Sequence, residues 1–142
     1  MNNRLLELIE TSIQEATDRA RDSCHAHWAF LKMENEGRLK PDWGHHGPRV
    51  LEARNSVYIY WHLFPKRTKR AANYGIRIQP TKKGYTKALF KKAHAWELEL
   101  ISQTEHELKI HRHELKALCD MRTIYRRYLR IAEAKKGESN GE

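Results

Sequence analysis

Residues 57–64, Val57-Tyr58-Ile59-Tyr60-Trp61-His62-Leu63-Phe64, decide the fold. The run is rich in β-branched and aromatic side chains, which suit a pleated strand. Alternation puts Val57, Ile59, Trp61 and Leu63 on one face and Tyr58, Tyr60, His62 and Phe64 on the other. Pro65 ends the run, because proline cannot continue a ladder it has no N–H to donate to. After the basic segment 66–73, residues Tyr74 to Gln79 alternate again, with Ile76 and Ile78 expected inward and Arg77 and Gln79 outward. The two runs predict an antiparallel β-hairpin with a long cationic tip.

Moving toward the C-terminus, Pro80 and Gly84 mark a turn into a helix expected from about residue 85. Leu89, Ala93, Trp96, Leu100, Thr104, Leu108, His111, Leu115 and Leu118 step by three and four and define one face. A break is expected near Cys119–Asp120, then a short third helix with Ile124, Tyr128 and Ala132 inside and Arg122, Arg126, Arg127 and Arg130 outside. The tail from Gly137 to residue 142 reads as disordered. Toward the N-terminus, residues 37–48 carry Gly and Pro and read as a loop. Before it, Leu5, Ile9, Ile13, Ala16, Ala20, Trp28 and Leu31 recur at helical spacing from an Asn2 or Asn3 cap to about Met33. Such a helix is about 45 Å long, so it needs a second helix from this chain or another copy. The expectation is a single helix-dominated α+β domain over residues 1–136: long helix, hairpin, long helix, short helix. Trp28, Trp61 and Trp96 are expected to pack together as its core.

The chain has 142 residues with 4 Trp, 6 Tyr and 3 Phe, enough aromatic surface for a small core despite 32% charged residues. No stretch is apolar enough to span a bilayer, and charges at Arg4, Glu7 and Glu10 interrupt any leader-like core. Two cysteines, Cys24 and Cys119, make no disulfide framework. A cytoplasmic location follows as the expectation. The net charge is +9, and its placement matters more than its size. From Ala53 to Trp96 there is no acid, while Arg54, Lys66, Arg67, Lys69, Arg70, Arg77, Lys82, Lys83, Lys87, Lys91 and Lys92 are all cationic. The rest of the chain has more acids than bases. A solvated surface explains most charge runs, but this one, unbroken by any acid, repels itself and calls for a polyanion.

A two-stranded ribbon fits the major groove of duplex DNA, with phosphates held by a basic tip. In this reading Lys66, Arg67, Lys69 and Arg70 touch phosphate or groove, and Arg77 reads a base. Lys82, Lys83, Lys87, Lys91 and Lys92 follow the flanking backbone. Tyr58, Tyr60 and Tyr74 stand ready to stack on bases or donate to phosphate. The four arginines near the C-terminus form a weaker second basic face, equally consistent with complementing the helix dipole. Nine histidines include Cys24-His25-Ala26-His27, His45-His46, and His106, His111 and His113, yet none has zinc-ligand spacing. No metal, cofactor or catalytic residue is expected, and no phosphate loop or nucleophile elbow is present.

Asn55-Ser-Val-Tyr-Ile-Tyr-Trp61, the basic loop, Ile76-x-Ile78, Gly84-Tyr-Thr-Lys-Ala-Leu-Phe-Lys-Lys-Ala-x-Ala-Trp-Glu97 and Glu105-x-Glu-Leu-x-x-His-Arg112 together resemble the MobI family of conjugative-transfer proteins of integrative conjugative elements. The resemblance covers roughly residues 54–118. It implies an auxiliary DNA-processing factor acting at an origin of transfer and helping a relaxase start mobilisation, without cutting DNA itself. The resemblance adds a relaxase to the partners expected from charge and helix length, double-stranded DNA and a second copy of the chain, with no membrane. Rival readings are an adaptor for an acidic protein surface, a DNA-binding transcriptional regulator, and a nuclease using histidine and tyrosine.

Overall fold

The computed structural model describes residues 3–64 and 75–140. Helix α1 spans Arg4–Glu36, and strands β1 (His46–Glu52), β2 (Val57–Leu63) and β3 (Ile76–Ile78) form an antiparallel sheet in the order β1-β2-β3. Helix α2 runs from Ala95 to Asn140. The architecture is helix-dominated α+β, as the periodicities predict. Glu10 bonds Arg126 at 2.8 Å, Arg19 pairs with Glu114, Ser23 meets His111 at 3.1 Å and His27 meets Thr104 at 2.8 Å. Numbers rising along α1 fall along α2, so the two helices pack antiparallel.

Ile59 and Trp61 point from β2 into a core with Ala16, Ala20 and Cys24 of α1, and Ile101, Leu108 and Leu115 of α2. Leu108 and Leu115 are fully covered, each stabilising the fold by about 1.5–3 kcal/mol. A second cluster, Ile9, Ile13 and Cys119, seals the far end of the helix pair. Both cysteines are free and buried, and burial pushes the Cys24 thiol up to about 12.

Five sequence expectations are corrected. Residues 46–52, read in part as loop, form β1, because an edge strand tolerates the proline at position 48. Residues 85–92 are not α-helix: Lys87–Leu89 make one 3₁₀ turn and Lys91–Lys92 a further turn, so that Phe90 can drop into the core beside Trp61 and His46. No break occurs at Cys119–Asp120; α2 is continuous, and Cys119 is buried against Ile9 and Ile13. Beyond that point the predicted faces hold only in part: Arg127 and Arg130 are exposed and Ala132 is half-buried, as expected, but the rest are exchanged. Ile124 and Tyr128 are 65% and 60% exposed, whereas Arg122, Tyr125 and Arg126 are half-buried, with Arg126 bonded to Glu10. Finally, the tryptophans do not share one core. Trp61 alone is enclosed, Trp28 packs on Phe64 and donates to Pro48 O, and Trp96 lies under Arg38 while donating to Asp42 O.

Two local differences are smaller. Asn3 occupies the helix cap without a side-chain bond, and Gly137 does not end α2, whose backbone continues to Asn140. Among the described residues no helix is long and apolar enough to cross a membrane.

Candidate nucleic-acid interface

Of the eleven cations in the acid-free window, Arg54, Arg77, Lys82, Lys83, Lys87, Lys91 and Lys92 are described, and every one is exposed. Lys66, Arg67, Lys69 and Arg70, together with Tyr74, lie outside the described residues. Arg54 sits in the turn between β1 and β2, and Arg77 is the middle residue of β3. Lys82 and Lys83 occupy a tight turn closed by mutual backbone bonds between Thr81 and Gly84. A positive φ of 87° at position 84 makes glycine the fitting residue there. Lys87, Lys91 and Lys92 follow in the irregular stretch before α2.

Among the described residues, none of these seven makes an ion pair. The pairs formed by Lys or Arg are Arg19–Glu114, Arg21 with Asp18 and Glu52, Arg38–Glu34, Arg112–Glu105, Lys116–Asp120 and Arg126–Glu10. All of those cations come from outside residues 53–96.

The sheet face turned away from the core is aromatic and cationic. Register sets Arg49 opposite Tyr60 and Arg77 opposite His62. The Arg77 guanidinium lies 4.3 Å from the centre of the Tyr60 ring, Tyr58 stacks on Tyr60 at 5.8 Å, and Arg49 covers Phe64 at 4.8 Å. Such cation–ring contacts are worth about 0.5–1 kcal/mol when exposed. Burial, then the charges of Arg49 and Arg77, hold His62 below the ordinary histidine value. Ile76, expected to point into the core, is 57% exposed because β3 is a three-residue edge strand.

A groove of about 740 Å³ opens between the first half of β2, the 80–85 turn and α2. Its walls carry Tyr58, Tyr60, Lys82, Lys83 and Tyr85 on one side, and His106, Lys109, Arg112, His113 and Lys116 on the other. The floor is a fixed polar network. Arg112 donates Nε–H to Ile59 O at 3.0 Å and holds both oxygens of Glu105 through Nη1. Glu105 also accepts from Trp61 Nε1 at 2.8 Å. The Tyr85 hydroxyl donates to Ile78 O and accepts from Trp61 N; burial raises its pKa, which keeps the proton in place. The cations contributed by α2 were not among the sequence candidates. Lys109, Arg112, His113 and Lys116 stand at i, i+3, i+4 and i+7, a spacing that marks one helix face and offered the signal.

Two of the histidines considered as ligands, His27 and His46, hold the fold together instead. His27 bonds Thr104 through Nδ1 and His46 O through Nε2, while the Glu97 carboxylate accepts from both His46 N at 2.9 Å and His46 Nδ1 at 3.1 Å. This enclosed relay fastens α1, β1 and the first turn of α2 together, with Glu97 only 1% exposed. Among the described residues no group of three or more His, Cys, Asp or Glu converges as a metal site would.

Comparison with known proteins adds one match. Residues 16–126 fit the family model described as MobI protein. No curated protein and no solved structure matches the chain.

Proposed function

The chain belongs to the MobI family and is thus a mobilisation-related protein; on that premise we propose that it is a DNA-binding auxiliary factor that recognises duplex DNA at an origin of transfer and helps a relaxase load, without cutting DNA itself. One observation carries the reading. The described cations of the acid-free window are exposed and, among the described residues, lack carboxylate partners. Cations free of internal partners can release counterions from a phosphate backbone, which supplies affinity with little sequence preference. Arg77 has a different position, on a strand and held over a tyrosine ring, and is the candidate to read a base edge.

The protein acts in this proposal as a homodimer. Met121, Ile124, Tyr128 and Ile131 are exposed at spacings of three, four and three, the seam of a helix pair. Asp120 and Arg127 flank that seam with opposite signs, so two antiparallel copies would set each against the other's counterpart.

The test is a band-shift comparison on an origin-of-transfer duplex and a scrambled duplex. Lys83→Ala should weaken binding to both alike, whereas Arg77→Ala should cost about 1–3 kcal/mol on the specific duplex alone. Equal losses for Arg77→Ala on both duplexes would remove it from base reading. No shift on either duplex with the unaltered protein would favour an acidic protein surface as the partner.

A further inference from the structure

Building on the DNA-binding reading, we infer that the groove between β2 and α2 is a seat for unpaired nucleotides, which shares Lys82 and Lys83 with the duplex surface and adds the α2 wall to it. Charge is the first argument. Lys82 and Lys83 border it from the turn and Lys109 from the helix, and among the described residues none of the three has a carboxylate partner. The two acids in the lining are already engaged, Glu105 by Arg112 and Trp61, and Asp120 by Lys116. The groove therefore presents net positive charge to whatever enters.

Ring geometry is the second. Arg77, Tyr60 and Tyr58 form a continuous stack, and Tyr58, its last member, stays 45% exposed where it lines the groove. A base placed on Tyr58 extends that stack, and each such base contributes appreciably whatever its identity. The pairing of cations that track phosphates with a ring that accepts bases is the chemistry of single-strand binding.

Size and edge chemistry narrow the occupant. About 740 Å³ is the scale of a small-ligand pocket and admits nucleotides but not a duplex. An extended acidic peptide would need the free edge of β2, because β3 pairs only with Trp61, His62 and Leu63. That edge is capped: Arg112 Nε occupies Ile59 O, and the Tyr85 hydroxyl occupies Trp61 N. Strand addition is blocked where it would begin, while side-chain contacts from the rim remain open.

The experiment uses the full chain with fluorescein-labelled oligo(dT) and a labelled duplex, read by anisotropy. Lys109→Ala is an exposed substitution on the α2 wall outside the duplex surface, Tyr58→Ala removes the ring that ends the stack, and circular dichroism checks that both variants keep their fold. Each should weaken oligo(dT) binding, the tyrosine change by about tenfold or more, and Lys109→Ala should leave duplex affinity within about twofold. The inference is overturned if oligo(dT) fails to bind a protein that binds duplex, if Tyr58→Ala leaves oligo(dT) binding unchanged, or if Lys109→Ala loses duplex and oligo(dT) equally. Displacement of oligo(dT) by polyglutamate as readily as by unlabelled oligo(dT) would also overturn it, leaving a general polyanion surface. Failure of both DNA probes with the unaltered chain would instead sink the DNA-binding reading beneath it.

Discussion

At Gly47 an added Cβ would lie 1.9 Å from Cζ2 of Trp28, a ring fixed by its bond to Pro48 O and its contact with Phe64. Gly47→Ala should destabilise the protein by about 1–3 kcal/mol or more, read as a lowered denaturation midpoint in urea. Glu97 poses the opposite case, since its carboxylate satisfies two donors of His46 in a sealed site. Glu97→Ala leaves both unpaired and should cost about 1–3 kcal/mol for each by the same measurement. Neither residue stood out in the sequence. A glutamate in the first turn of a helix reads as a solvent-facing partner of the dipole, and its enclosure arises only when β1 arrives from 51 residues away. The acid-free cation run, by contrast, was legible because charge needs no tertiary information to be counted.

At the scale of elements, strand β2 was legible in full, from Val57 to Leu63, because alternation and β-branched content agree. Strand β1 was not, since Gly47 and Pro48 argue for a loop until an edge position and a packed tryptophan explain them. The start of α2 was misplaced because Leu89 and Ala93 continue its period by chance, while burial of Phe90 bends the chain away. The junction of α1, β1 and α2 makes folding sensitive to pH. Burial holds His27 below its ordinary value of 6.5, and burial with two arginines does the same for His62. The unfolded chain therefore takes up protons first. Stability should fall as pH drops through 6.5, and level off once it is below the folded-state values. Thermal melts across that range check the sign, and His27→Gln should flatten the slope.

The molecule combines a closed core with two surfaces that the described residues leave open: the cation-bearing face and the apolar stripe of α2 at Met121, Ile124, Tyr128 and Ile131. If the proposed dimer forms, the unaltered chain should sediment as a dimer and Ile124→Glu with Tyr128→Glu as a monomer; equal masses for both would contradict it. Melting extrapolated to low concentration should change little, because both side chains are exposed within one chain. Architecture at this scale was readable as two long helices and a hairpin, but the seam was not, because the sequence shows a stripe without showing which side the neighbouring helix takes. The central claim is that the cations of residues 53–96, of which the described ones make no ion pair among the described residues, grip a phosphate backbone. The most direct measurement is duplex affinity across a range of salt for the unaltered chain and for Lys82→Ala with Lys83→Ala. The logarithm of affinity should fall steeply with the logarithm of salt, and the double variant should flatten that slope by about two. A slope near zero, or one that the substitutions leave unchanged, would contradict the account.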